Sequence, residues 1–326
     1  MVNARDVRQG RNAVTPSDPV RVTRDKEHLH LQLRHDLEPI ARVAVGDTLL
    51  VETEDNFALY REMTSDNDLV PEPPPLKELN PLTGPIAVAG AAPGDTLVVE
   101  IVDIAVEGQG HIALVAGTGV LKDYVSPPHT KIWRIEDGDA VFNQAIRFPI
   151  RPILGSIGTM PAEDGVYAIY PGPYGGNLDD ANSTIGSVYH FPVYVPEALL
   201  MVGDVHANQG DSEIAMGIEI DGEVTLRILD VVKGEDLPYA RIETADTWVF
   251  PADAPTLEEA IQISAAFAAR FLAERLGITM EDAAHILSAV GNVRISQAAF
   301  AGYNVTVRTE FPKSLDTLGR LRGYAG

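Results

Sequence analysis

Asp204, His206, Asp211 and Glu213 fall within one short stretch, Gly203-Asp204-Val205-His206-Ala207-Asn208-Gln209-Gly210-Asp211-Ser212-Glu213. Apolar runs at 198–202 and 214–218 flank it, each short and apolar enough for a buried strand. The spacing predicts a hairpin whose connecting loop carries the chemistry. In an extended strand residues i and i+2 share a face, so Asp204 and His206 project together and Val205 turns to the core. Gly210 permits the turn, and Glu213 returns on the second strand. Two carboxylates and an imidazole converging on one point suit a divalent metal such as zinc or a general acid/base set. The same spacing also fits an Asx-rich turn with one surface histidine.

A second stretch, Pro171-Gly172-Pro173-Tyr174-Gly175-Gly176-Asn177-Leu178-Asp179-Asp180, is dense in glycine and proline and reads as a tight irregular loop. It displays Asn177, Asp179 and Asp180, residue types that also serve turns for purely backbone reasons. Ser212 lies near His206, but no Gly-x-Ser-x-Gly elbow accompanies it, so a serine triad is not indicated.

The elements that must hold these loops read mainly as strands. His28 to Arg34 alternates apolar and polar residues, one strand with His28 and His30 on its polar face. The pattern Gly-Asp-Thr-Leu, two apolar residues and Glu occurs twice, at 46–52 and 94–100, and predicts two similar hairpins. Between them, residues 65–85 are rich in proline and acid and form a surface excursion able to cover a cleft. Short β-rich runs with turns at 117–119, 127–128 and 137–139 point to a sandwich or jelly roll. Leu257 to Leu276 reads as a helix stopped by Gly277. Thr279 caps a second, 280–290, stopped by Gly291. His285 there is a packing or surface residue. Strands return at 292–308, and the basic stretch 313–322 reads as a solvated tail. The division is a polar segment 1–26 with a loose first dozen residues, a β-sandwich 27–240 carrying the site loops, and an α/β part 241–326.

Composition bounds the chemistry. With 326 residues and 45% hydrophobic content the chain can bury a sizeable core. It has no cysteine, so a metal must use His, Asp or Glu. The balance of 25 Lys+Arg against 47 Asp+Glu, net −22, disfavours nucleic acid and anionic substrates and suits a small neutral one. No run is long and apolar enough for a membrane span or a signal peptide, so a cytoplasmic protein is expected.

Taken together, the motifs resemble the acetamidase/formamidase family. The 203–213 stretch is similar to that family's Gly-Asp-x-His-Ala-x-Gln-Gly-Asp-Gly-Glu, and Gly175-Gly176-Asn177-Leu178-Asp179 to its Gly-Gly-Asn-Met-Asp. Asn80-Pro81-Leu82-Thr83-Gly84-Pro85, Pro93-Gly94-Asp95, Arg151-Pro152-Ile153-Leu154-Gly155-Ser156-Ile157-Gly158 and Asn292 to Gln297 resemble further family segments, in order, from about residue 36 to 313. The resemblance implies a jelly-roll-like β-sandwich with a smaller C-terminal α/β part. It implies hydrolysis of short neutral amides to carboxylate and ammonia, a divalent metal (zinc, with calcium as a second ion) and a homodimer. Carried over by position, it implies Asp55, Asp204 and His206 as ligands, Glu213 as base and Asn177 as oxyanion donor. Asp179 becomes a ligand or the residue that orients His206. Many family members have histidine where Tyr174 stands, a departure that favours the alternative of a binding protein without turnover.

Overall fold

A computed structural model describes residues 18–299 and 304–325; residues 1–17 of the polar N-terminal segment, with its loose first dozen, lie outside it. Among the described residues, nine strands form the larger sheet, in the order Val20–Val22, Thr48–Thr53, Gly222–Val232, Thr96–Ala105, Val188–Pro192, Arg241–Glu243, Thr247–Ala254, Val305–Pro312 and Asn292–Gln297. A seven-stranded sheet runs Pro171–Gly172, Gly175–Asn177, Ile153–Gly158, Leu200–His206, Leu82–Val88 and Leu29–His30, with Ala41–Val43 also paired to Leu82–Val88. The main core lies between these two sheets. Leu49, Val51, Leu97, Val99, Leu226 and Ile228 from the first meet Ile86, Val88, Leu154, Ile157, Val202 and Val205 from the second. The molecule is mainly β, a sandwich with a helix-bearing C-terminal part, as expected.

The two Gly-Asp turns are not hairpins. Ala41–Val43 and Leu82–Val88 pair in parallel within the smaller sheet. Thr48–Thr53 and Thr96–Ala105, the strands that follow them, flank Gly222–Val232 in the larger one. Each turn therefore carries the chain across the core from sheet to sheet. Both are built alike: Gly46 and Gly94 take φ of +98° and +87°, and Asp47 and Asp95 each accept the backbone N–H three residues back at 2.9 Å. Alternation reveals which face of a strand is buried, not which strand it pairs with, so the sequence pattern looks the same for both arrangements.

Three further expectations change. Residues 28–34 do not form one strand but two short pieces, Leu29–His30 and Gln32–Leu33, in different sheets. The run 214–218 is not a strand. Ile214 is half exposed, Met216 and Ile218 are buried in different clusters, and the neighbouring Ser212 bonds to Ile295 of the edge strand (N to O 2.7 Å). Residues 313–322 are not a solvated tail. Leu321 is buried beside Trp248, whose indole N–H donates to its carbonyl at 2.8 Å. Arg320 donates to Leu276 O at 2.7 Å, supplying a last carbonyl of the first helix with a donor.

Helix α1, Leu257–Leu276, starts at the cap Thr256, whose Oγ1 accepts from Glu259 N and donates to Glu259 Oε2 at 2.9 Å. It ends at Gly277 in the left-handed conformation, φ +67°. Helix α2, Met280–Val290, is capped by Thr279. Phe267 and Phe271 of α1 pack on Trp248, Phe250 and Phe311 of the nine-stranded sheet. The strands beyond residue 240 thus extend the same sheet while the helices add an aromatic core of their own.

Candidate active site

The strand Leu200–His206 is buried along its whole length. It pairs with Ile153–Gly158 on one side and Leu82–Val88 on the other. Near its end Asp204 takes φ +60°, with Val205 turned into the sandwich core. Asp204 and His206 share a face, as the spacing requires: His206 Nε2 lies 3.4 Å from Asp204 Oδ1. Opposite them stands Gly155, where a Cβ would overlap the carboxylates of both Asp204 and Asp179. The absence of a side chain there makes the room they occupy.

Asp179, from the Gly/Pro-rich loop, completes the cluster. One ligand atom each from Asp179, Asp204 and His206 lies within 4.8 Å of the others, and all three residues are buried. Glu219 joins them, its Oε2 3.2 Å from His206 Nε2. Glu213 is buried on the turn after Gly210 and not on a returning strand. Three carboxylate oxygens here, Asp179 Oδ1, Glu213 Oε2 and Glu219 Oε2, are buried without a hydrogen-bond partner. Such atoms cost free energy unless something else binds them.

The surroundings fix the orientation of each group. Gln209 Nε2 donates to Asp179 O at 2.9 Å, which turns its Oε1 toward His206 Nδ1, 2.5 Å away. Nδ1–H therefore donates to Gln209, and Nε2 faces the carboxylates, where it donates its own proton when no ion is bound and offers a lone pair to an ion that displaces that proton. Asp179 does not orient the imidazole through its other nitrogen; Gln209 does. Asp179 Oδ2 accepts from Gln297 at 3.2 Å. Asn177 Oδ1 accepts from Asn80 Nδ2 at 3.0 Å and lies 2.6 Å from Ser156 Oγ, which leaves Nδ2 as its remaining donor. Ser156 Oγ also lies 3.2 Å from Asp204 Oδ2, linking Asn177 to the cluster.

Asp55 stands apart from the three clustered residues. Its Oδ1 accepts from Phe57 N at 2.8 Å, and its Oδ2 faces His111 Nδ1 at 3.3 Å. His111 is buried against the Phe57 ring and exchanges both backbone hydrogen bonds with Glu219. Glu219 bridges in turn to His206, so His111, Glu219 and His206 stand side by side across three chain segments. Val70 and Leu79 of the acidic, proline-rich excursion, with Phe57 and Met63 just before it, pack with Val115 and Met216 over this side. Tyr174 is not part of the site. Its ring packs among Leu33, Leu82 and Met160, and its hydroxyl donates to Tyr170 O at 2.7 Å.

Sequence reasoning missed Glu219, His111 and Gln209. Glu219 breaks the apolar run Met216-Gly217-Ile218-Glu219-Ile220, and an acid inside such a run was the available signal.

Electrostatics makes the cluster unstable without a cation or protons. Burial pushes the Asp179 and Glu213 carboxyls well above the usual range, and Asp204 and Asp179 respectively push the same way. Burial moves Glu219 up to about 7 against the pull of His206. Burial alone would lower His206, but Glu219 and Asp204 outweigh it and raise it well above its ordinary value. Opposed groups in one dry site are what a metal or a proton-transfer reaction uses. The donor set of one nitrogen with several oxygens, three of them unpartnered, fits a divalent ion.

The acetamidase/formamidase family model matches residues 17–168 and 162–290. Among solved structures, the chain is similar to an acetamidase from Bacillus halodurans, with 34% identity and a TM-score of 0.85 over 91% of this chain and 98% of that one. It is also similar to a predicted acetamidase/formamidase from Thermoanaerobacter tengcongensis, with 32% identity and a TM-score of 0.86 over 94% and 99%. A formamidase from Methylophilus methylotrophus is 27% identical over 61% of this chain, and the match spans 63% of that formamidase's own length. The order of motifs, the sandwich that carries them and these matches agree: the chain belongs to the acetamidase/formamidase family.

Proposed function

We propose that this protein hydrolyses short, neutral, linear amides to carboxylate and ammonia, with a divalent ion held by Asp179, Asp204 and His206. The observation that carries the reading is the gathering of buried carboxylates round His206 Nε2, with Glu219, Asp204 and Asp179 oxygens at 3.2, 3.4 and 4.0 Å, and with Asp179 Oδ1 and Glu213 Oε2 lacking a hydrogen-bond partner. An ion bound there would polarise the amide carbonyl and acidify the attacking water. Zinc fits the mixed nitrogen and oxygen donors, with calcium as a second ion. The family resemblance adds a homodimer. Among the described residues no helix is long and apolar enough to cross a membrane.

The chain's own residues divide the work. Glu213 takes the proton of the water as its oxygen adds to the carbonyl carbon. It then delivers that proton to the nitrogen as the C–N bond breaks and ammonia leaves. Asn177 Nδ2 donates to the carbonyl oxygen as charge develops on it. Gln209 holds His206 in one tautomer. His111, oriented by Asp55, lines the site beside Glu219. The acidic surface repels anions and leaves a neutral amide unaffected.

The alternative, a binding protein without turnover, draws on Tyr174. Against it stands the setting of that side chain, whose ring packs among Leu33, Leu82 and Met160 and whose hydroxyl donates to Tyr170 O.

The test is ammonia release from formamide, acetamide and longer amides by purified, metal-loaded protein. Glu213→Gln should lower kcat by roughly 10²–10⁴-fold while leaving metal content unchanged. Full activity in that variant would remove Glu213 as the base, and no release by the wild type would remove the amidase reading.

A further inference from the structure

Asn80 stands two residues before the strand Leu82–Val88 and bonds directly to Asn177. It is fully buried, and its backbone takes φ +58°, a left-handed conformation that the surrounding structure must hold. Asn56 does so: its carbonyl and side-chain oxygens both accept from Asn80 N at 3.1 Å. Asn80 Nδ2 donates to Ser156 Oγ and to Asn177 Oδ1, each at 3.0 Å. These bonds use both amide protons and fix which way the carboxamide points, because a flip would set oxygen against Asn177 Oδ1. Asn80 Oδ1 is thereby left buried, with no hydrogen-bond partner among the described residues. A buried acceptor in that state costs free energy unless a ligand supplies the donor.

The sheet ties this residue to the site. Asn177 pairs with Ser156, Ser156 with Gly203 and Gly203 with Leu82, across four adjacent strands. At Gly203 a Cβ would overlap Pro81 O and the Leu82 side chain, so the glycine lets the segment that begins at Asn80 close on the site. Ser156 Oγ links the two asparagines to Asp204 Oδ2, 3.2 Å away. Asn177 Oδ1 already accepts from Asn80 and Ser156, which leaves Asn177 Nδ2 as a donor. The pair therefore offers one donor, Asn177 Nδ2, and one acceptor, Asn80 Oδ1. A carboxamide spans about 2.3 Å from O to N, which puts these two atoms within about 8 Å of each other. A primary amide with a hydrogen bond of about 2.9 Å at each end covers that span.

We infer that Asn80 is the residue that selects an amide over an ester: its Oδ1 accepts an N–H of the substrate's –NH₂ while Asn177 Nδ2 donates to the carbonyl oxygen. The inference rests on the amidase reading. An ester of the same acid has an oxygen where the N–H would be and meets Asn80 Oδ1 with no proton between them. The hydrogen bond turns the nitrogen so that its lone pair stays free for the proton from Glu213. It strengthens as that proton arrives, because the N–H bonds of a positively charged nitrogen are better donors.

The experiment is acetate release from acetamide and from methyl acetate by metal-loaded protein, read as the ratio of the two kcat/KM values. Asn80→Gly removes the acceptor and suits the positive φ. It should lower the ratio of amide to ester about 10–100-fold, with the amide losing rate and the ester not. Asn80→Asp keeps an oxygen acceptor but loses the donor to Asn177. Both substrates should then fall together and the ratio should hold, a test that stands by itself if Asn80→Gly fails to fold. Equal losses for the two substrates in Asn80→Gly would show that Asn80 acts only by placing Asn177, and would overturn the inference. An unchanged ratio, methyl acetate still untouched by the Asn80→Gly protein, or a ratio that collapses in Asn80→Asp overturns it as well. Wild-type protein that hydrolyses neither substrate brings down the amidase reading and the inference with it, whereas acetamide turnover leaves that reading standing whatever the variants do.

Discussion

Asp204 and His206 show what a two-residue spacing can tell. They share a face of one strand, so their meeting was legible from alternation alone. Glu219 and His111 reach the same place through cross-strand pairing between segments far apart in sequence, and no local pattern records that. Gln209 is the residue whose role the structure adds most clearly. It bridges the Asp179 carbonyl and His206 Nδ1, so it sets which imidazole nitrogen faces the carboxylates. Removing such a partner typically weakens metal binding by about 10–100-fold. Gln209→Ala should therefore weaken zinc affinity by that factor in a competition titration, with little change in fold. Wild-type affinity in the variant would show that the imidazole orients itself without Gln209.

Whole elements were legible where their signals are local. Both helices begin where a threonine hydroxyl caps them, and they end at the glycines, Gly277 in the left-handed conformation and Gly291 in an extended one, because such signals act within one turn. Pairing partners were not legible, which is why the two Gly-Asp turns look like hairpins in sequence and act as crossings between sheets. The C-terminal stretch misled for another reason: its charges have buried partners. Glu243, fully buried, accepts from Lys313 Nζ at 2.6 Å and from the backbone of Tyr324 and Ala325, and faces His190 Nε2 at 3.2 Å. Burial pushes His190 down to about 4, although Glu243 pulls the other way. Its folded value lies below its unfolded one, so the unfolded chain binds the proton first as pH falls. The associated stability, at most about 3 kcal/mol, is present above pH 6.5 and lost as pH falls toward 4. The raised carboxyls Asp179, Glu213 and Glu219 shift stability in the opposite direction, so melting curves mix the two. Imidazole NMR separates them: His190 should remain neutral until the pH nears 4, and a midpoint near 6.5 would contradict the buried pairing.

For the molecule as a whole, a net charge of −22 raises a question of cation binding that the candidate site alone does not. Any acidic protein gathers cations at its surface, and that also stabilises it. The two effects separate by screening. Surface attraction fades as the Debye length falls from about 30 Å at 0.01 M salt to about 8 Å at 0.15 M, whereas buried charges are screened much less. Asp179, Asp204, His206, Glu213 and Glu219 are all buried. An ion that binds only the folded site at 100 times its Kd adds about 2.7 kcal/mol, or about 5 °C in Tm for a chain of this size. Chelation should therefore lower Tm by about that amount at both salt concentrations, and zinc should restore it. Salt alone should raise Tm in both the loaded and the stripped protein, by relieving self-repulsion. A chelation effect present at 0.01 M and gone at 0.15 M would assign the cation to the surface and leave the buried carboxylates to be neutralised by protons. A Tm indifferent to chelation throughout would point the same way. Glu213 and Glu219, with pKa values raised by burial, would then be the groups to carry them.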